Sequence, residues 1–341
     1  MAATVHPLSP GRWDAARVAD VYHAHGFVHL PGLYSAAALE PMVTIIHKRI
    51  DAIAEALGEP RRADLPLGRR LPAILRGRSS EHLTGMPSPF NVGGGATDDD
   101  ADEEGVFQLV THPPLLELLA ALLGDSIQYD NAGICRSILP ATSRPRDRTT
   151  QGFPQHTDSQ YFDTTLFPDS GGAVEPGHPL SSAPLHIVAA WVPLVDCDER
   201  SSCLTLIPGS HHHGDIVAGK RDGFSNMDSH EDVEARFGPA KAVPCKKGDC
   251  IFFHNLVFHG SSDNSSDRCR WSLDFRYTAP PAASLPAETR AAAEWYSDTE
   301  SASRGRVPIA VSGEGAANTW PLWRAQKRRE VEAERLSRAK L

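Results

Sequence analysis

The chain has 341 residues, 40% hydrophobic and 23% charged, with a formal net charge of −9. This is the composition of a globular protein, long enough for two domains or one elaborated domain. An acidic balance without a basic patch argues against a phosphate-backbone binder. No apolar run approaches the ~18 residues of a membrane span.

In chain order, Asp14 to His25 has helical spacing and Gly26 suits the C-cap. Phe27-Val28-His29-Leu30 predicts a short strand closed by Pro31-Gly32. Ser35 is placed to cap a second helix running to Leu57 and stopped by Gly58 and Pro60. Residues 60–105 look irregular, and the acidic run 98–104 is expected to be a solvated, mobile loop because like charges repel. Pro113 to Leu123 is a compact apolar helix ended by Gly124. From Ile127 the pattern becomes short β-branched and aromatic segments at 127–139, 153–162, 185–195, 203–207, 242–245, 249–258 and 269–278. Pro, Gly, Asn and Asp separate them, which suits an antiparallel barrel or sandwich. Residues 279–341 read as a loop and then a charged helix, Trp323 to Lys340.

The N-terminal residues lack a charged segment followed by an apolar one, so no secretory leader is expected. Six cysteines without a Cys-x-x-Cys pair fit a reduced, cytoplasmic protein. Sixteen histidines raise the prior for a metal site.

Three stretches carry chemistry. In Gln155-His156-Thr157-Asp158, residues two apart on a strand share a face, so His156 and Asp158 would project together. One imidazole and one carboxylate are two arms of a facial metal site with open positions. Alone, His-x-Asp is more often a surface pair. Gly248-Asp249 then leads into an apolar strand with His254 and His259, whose odd spacing points them to opposite faces. Only one of the two would reach a metal. Arg270 follows on a return strand beside His259. A buried arginine there calls for an anion, and a dicarboxylate offers one that a guanidinium can grip with two hydrogen bonds.

Together with Trp191-Val192-Pro193-Leu194, the run Cys203 to His211 and the N-terminal Gly26 to Gly32, these motifs resemble the phytanoyl-CoA dioxygenase family of Fe(II)/2-oxoglutarate-dependent oxygenases. The resemblance spans roughly residues 18–278. It implies one mainly β domain over 1–341 with a double-stranded β-helix (jelly-roll) core at about 127–278. A helical layer at 12–124 and a C-terminal helical extension at 285–341 would flank it. It implies His156, Asp158 and His259 as iron ligands and Arg270, helped by Ser261, on the distal carboxylate of 2-oxoglutarate. Trp191 would line the same pocket, and His254 would not be a ligand. Many members have a Lys-Pro-Pro-like stretch where this chain reads Arg136-Ser137-Ile138-Leu139-Pro140, which leaves Asn131 and Ser137 as that strand's candidates. Asp158 occupies the position that related halogenases leave open for halide.

The implied reaction is oxidation, by hydroxylation above all, of a small or medium-sized metabolite, with Fe(II), 2-oxoglutarate and O2 as cofactor and cosubstrates. The Ala-, Arg-, Gly- and Pro-rich composition resembles that of proteins from GC-rich bacteria, where the family often tailors secondary metabolites. Neither nucleic acid nor membrane is expected as a partner, and segments 60–105, 140–152 and 163–184 would form a lid. The competing reading is a non-catalytic jelly-roll metal-binding protein, which would have no need of Arg270. The run His211-His212-His213 reads as a polar turn opening a helix, and an Asp274–Arg276 pair as either structural or substrate-facing.

Overall fold

The computed structural model describes residues 3–76, 100–141, 152–158, 186–213, 220–221, 224–225, 230–280 and 308–313. Its centre is a sheet of six antiparallel strands in the order β1-β8-β3-β10-β2-β11. These are β1 (Phe27–Leu30), β2 (Ile127–Ile138), β3 (Ile187–Pro193), β8 (Cys250–His254), β10 (Arg270–Thr278) and β11 (Pro308–Ser312). A second sheet pairs β7 (Lys241–Val243), β4 (Leu204–Leu206) and β9 (His259–Ser261) in that order. The chain crosses from the first sheet to the second between His254 and His259. Side chains from both sheets line one cavity, the arrangement of a jelly roll. A two-stranded ribbon, β5 (Lys220–Arg221) and β6 (Phe224–Ser225), lies apart.

All nine residues of β10 are buried, because both faces of this central strand are covered. Trp271, Leu273, Phe275 and Tyr277 alternate onto the side of the helices, where the Tyr277 hydroxyl donates to Val110 O at 2.9 Å. Arg270, Asp274 and Arg276 face the cavity instead.

The helical layer forms much as its sequence dictates. Asp14 accepts the Arg17 N–H at 3.0 Å to start α1 (Ala15–His25), and Gly26 ends it at φ 78°. Ser35 accepts the Ala38 N–H at 3.1 Å to start α2 (Ala36–Leu57). The buried stripe Leu39, Met42, Ile46, Ile50 and Ile53 of α2 has the i, i+3, i+4 spacing of one helical face.

Residues 60–105 are not wholly irregular. They include α3 (Leu67–Ile74), and α4 (Asp100–Val110) begins inside the acidic run, so the solvated loop expected for 98–104 is helical from Asp100 onward. α5 (Pro113–Leu123) follows, and α6 (His230–Phe237) precedes β7. The helix expected at 323–340 and the lid segment 163–184 lie outside the described residues. The segment expected as a loop after 278 contributes β11, which extends the large sheet by pairing with β2.

Among the described residues no single helix is long and apolar enough to cross a membrane. The bent pair Glu104–Val110 and Pro113–Leu123 has the composition, but its Leu109, Val110, Leu115, Leu118 and Leu119 are buried in the core.

Candidate metal and 2-oxoglutarate site

His156 does not sit on a regular strand. It forms an isolated antiparallel bridge with His259, at the edge of the smaller sheet. His156 N–H donates to His259 O at 2.8 Å, and His259 N–H returns to His156 O at 2.9 Å. Directly opposed residues share a face, and the two rings lie 4.3 Å apart, centroid to centroid. Gly260 makes the approach possible. A Cβ there would stand 2.6 Å from Phe153 O and 3.0 Å from Pro154 O, so the His-Gly-Ser motif needs its glycine for space.

Each histidine is fixed by a backbone carbonyl. His156 Nδ1 meets Pro154 O at 2.7 Å, and His259 Nδ1 meets Val257 O at 3.1 Å. A carbonyl only accepts, so Nδ1 carries the proton and Nε2 keeps its lone pair. Burial, joined by the neighbouring His259, pushes the His156 pKa down to about 3, and burial also lowers that of His259. Both imidazoles are therefore neutral.

Asp158 completes the group. It is 1% exposed, its Oδ1 lies 3.6 Å from His259 Nε2, and ligand atoms of His156, Asp158 and His259 all fall within 4.8 Å of one another. Burial works to raise the pKa of Asp158, but Arg276, His259 and His156 together hold it below the usual carboxylate range. Two neutral imidazoles and one carboxylate anion, buried together, form a donor set for a divalent transition metal.

Behind the triad lies a charged row on β10 and β2. Arg276 Nε stands 2.7 Å from Asp158 Oδ2, and Arg276 Nη1 donates to Asp274 Oδ1 at 3.0 Å. Arg136 Nε donates to Asp274 Oδ2 at 3.0 Å. Burial works to raise the Asp274 pKa, yet Arg276 and Arg136 hold it at about 2.

Arg270 is 1% exposed on the same cavity. Its Nη1 donates to Ser202 O at 2.8 Å, while its Nε has no hydrogen-bond partner among the described residues. The Trp191 ring lies 5.5 Å from its guanidinium carbon, and Ser261 lines the same wall, accepting the Phe153 N–H at 3.1 Å. A buried guanidinium with an unsatisfied N–H asks for an anion. Beside a two-histidine, one-carboxylate set, these residues fit iron(II) with 2-oxoglutarate and O2.

His156, His259, Arg270, Ser261 and Trp191 line one cavity, and Asp158 stands beside His259, with two corrections to the local reasoning. His156 and Asp158 meet through a bridge and a turn, not through strand alternation. His254 and His259 diverge because they belong to different sheets. His254 stacks on His186 at 4.8 Å, away from the triad. The candidate Ser137 pairs with Trp271, on the face turned from the cavity, whereas Arg136 pairs with Ser272 and lines it. The side chain of Asn131 lies outside the described residues. The run 211–213 is a short 3₁₀ turn, Ser210–His213.

Arg136 was not expected at the site, since its face depends on the β2–β10 register. The Asp274–Arg276 pair is present, and what was not expected is the contact of Arg276 with Asp158, which depends on the chain crossing. A second group, His29, Cys245 and Asp249, is closed by its own hydrogen bonds. Asp249 accepts from Gly32 N at 2.9 Å and Lys246 N at 2.8 Å, and pairs with His29 Nε2 at 3.0 Å.

Comparison with known proteins adds an independent line. The chain is 24% identical over 188 residues to the peroxisomal phytanoyl-CoA dioxygenase of Bos taurus, covering 52% of this chain and 48% of that protein. It is 34% identical over 119 residues to phytanoyl-CoA dioxygenase domain-containing protein 1 of Danio rerio, covering 32% and 40%. The chain thus spans about half the length, or less, of these curated relatives. Among solved structures, the epimerase SnoN in complex with Fe3+, alpha ketoglutarate and nogalamycin RO is 21% identical, covering 83% of this chain and 89% of that one, with a TM-score of 0.48. EctD from S. alaskensis in its apoform is 18% identical, covering 83% and 86%, with a TM-score of 0.45. Likenesses of that size bear no functional weight. The family model for phytanoyl-CoA dioxygenase matches residues 22–272, well over half of the sequence, and the chain belongs to that family.

Proposed function

We propose that this protein is an Fe(II)/2-oxoglutarate-dependent dioxygenase that hydroxylates a small or medium-sized metabolite and releases succinate and CO2. One observation carries the reading: His156 and His259, grouped with the buried Asp158, line the same cavity as the partly unsatisfied Arg270. A bare metal-binding module would have no use for the arginine.

In this reading His156, Asp158 and His259 hold Fe(II). Arg270, with Ser261, grips the distal carboxylate of 2-oxoglutarate, and Trp191 flanks it. When bound, iron(II) with 2-oxoglutarate and O2 supplies the oxidising power, 2-oxoglutarate leaving as succinate and CO2. The chain's own contribution is orientation and dryness. The carbonyls of Pro154 and Val257 keep both Nε2 lone pairs turned to one point, Arg276 keeps Asp158 anionic, and Leu204, Trp191 and Phe253 wall the cavity against water. The substrate is a free metabolite. A net charge of −9 disfavours docking on phosphate backbones.

The test is succinate formation from 2-oxoglutarate, with dependence on added Fe(II) and on O2. Alanine at 156, 158 or 259 should remove bound iron by metal analysis as well as turnover. Arg270→Ala should weaken 2-oxoglutarate binding on the order of 30- to 4000-fold, the effect of losing one partner of a buried charge pair, while iron binding persists. Succinate formation that ignores iron, or 2-oxoglutarate affinity that ignores Arg270→Ala, would refute the reading.

A further inference from the structure

The cavity face of the large sheet carries more positive charge than the proposed reaction consumes. Three arginines, 136, 270 and 276, line the cavity, against the two carboxylates of Asp158 and Asp274. Iron(II) and the 2-oxoglutarate dianion would cancel each other. Arg276 is shared between the two carboxylates, and Arg270 is the deep arginine taken by the cosubstrate. One positive charge is in excess on this face, and Arg136, which shares Asp274 with Arg276, turns its remaining edge to the cavity.

Arg136 is held as a receptor would be. It projects from β2 opposite Ser272, onto the cavity side. Its Nε is tied to Asp274 Oδ2 at 3.0 Å, and its guanidinium carbon lies 4.8 Å from the Phe153 ring centroid. These contacts fix the plane of the guanidinium at one edge and one face. They leave its two terminal nitrogens without a partner among the described residues. At 31% side-chain exposure it stands nearer to solvent than Arg276, whose side chain is 10% exposed, or the fully buried Arg270. A pre-oriented planar fork at the rim of a buried site suits bidentate recognition of a carboxylate.

We propose that Arg136 binds a carboxylate of the metabolite oxidised at this site, so that the substrates are small organic acids. The inference rests on the oxygenase reading and narrows it to a substrate class. Phe153, beside the guanidinium, and Phe253, across the cavity, would receive the apolar part of such a molecule.

The experiment uses the full chain loaded with Fe(II) and 2-oxoglutarate under dinitrogen. Benzoate and its neutral counterpart benzamide serve as probes, and calorimetric titration as the readout. Benzoate should bind at least roughly tenfold more tightly than benzamide, the discrimination expected of hydrogen bonds to a charged group. Arg136→Gln should erase that preference, Arg136→Lys should keep part of it, and both should bind 2-oxoglutarate as the parent protein does. Equal binding of the two probes, no binding of benzoate, or a benzoate preference that survives Arg136→Gln would overturn the proposal. So would a loss of 2-oxoglutarate affinity in Arg136→Gln, which would give Arg136 to the cosubstrate. Failure of the unaltered protein to bind iron or 2-oxoglutarate would instead sink the oxygenase reading itself.

Discussion

The guanidinium of Arg276 touches two carboxylates of different duty: its Nε lies 2.7 Å from Asp158 Oδ2, and its Nη1 lies 3.0 Å from Asp274 Oδ1. At that distance the Arg276 contact is an ion pair that neutralises the Asp158 carboxylate. Asp274 has no place in the metal triad. Its contacts are Arg276 and Arg136, which makes it the centre of a buried charge row.

Removing Arg276 leaves two buried carboxylates short of a partner. Breaking a buried pair in this way costs about 3–5 kcal/mol. Arg276→Gln should lower the stability of the metal-free protein by that order in denaturant unfolding. Asp274→Asn in the same chain should recover part of the loss, because one orphaned charge is then gone. If the double variant is as unstable as the sum of the single variants, the row does not act as a unit.

His259→Ala should abolish iron binding, whereas His254→Ala should keep it. His254 lies on the other sheet, stacked on His186, with its Nδ1 accepting the Leu256 N–H at 3.1 Å. Metal content after anaerobic loading separates the two. Iron lost from the His254 variant and retained by the His259 variant would reverse the ligand assignment.

Gly260→Ala probes spacing rather than chemistry. The new methyl would meet backbone, Phe153 O at 2.6 Å, and backbone cannot swing aside as a flexible side chain can. The bridge that brings His156 to His259 must widen. Iron affinity should fall roughly 10- to 100-fold, the scale seen when groups that orient a metal ligand are lost. The folded content by circular dichroism should persist. Iron affinity unchanged from the parent protein would show that the bridge does not set the site.

Much of this was legible in the sequence, and the parts that were not have a common cause. The ends of α1, α2 and α5 follow from local signals, Asp14, Ser35 and the glycines 26, 58 and 124, because capping is decided within one turn. The triad and Arg270 follow from motif order. α3 was hidden by its two prolines, 66 and 72. It is held from outside, by Arg70 donating to Asp51 and to the carbonyls of Arg61 and Arg62. β11 is five residues long and begins on proline, so only its pairing with β2 marks it as a strand. Arg136 and Arg276 owe their roles to cross-strand register and to the step between sheets, and no window along the chain contains either.

Acid should destabilise the metal-free fold well before its carboxylates titrate. His186, His254 and His211 cluster behind β8: His186 and His254 stack at 4.8 Å, and His211 lies 5.5 Å from His254. Burial, then the neighbouring histidines His23 and His211, lowers the His186 pKa to about 4. Burial, then His186, lowers that of His254 well below its ordinary value. For His211, burial outweighs the bond to the His23 carbonyl, and its pKa falls to about 4. Each folded-state value lies below the ordinary 6.5 of an unfolded chain. Between those values the unfolded chain binds more protons, so stability falls as pH drops from about 6.5 towards 4 and is level above about 7. For His186 alone the shift corresponds to on the order of 3 kcal/mol. His156 and His259 act in the same direction, so the comparison must be with a variant. His254→Gln should flatten the slope of unfolding free energy between pH 7 and pH 5, measured by urea titration. A slope unchanged by that substitution would mean the cluster is already solvated or charged in the fold.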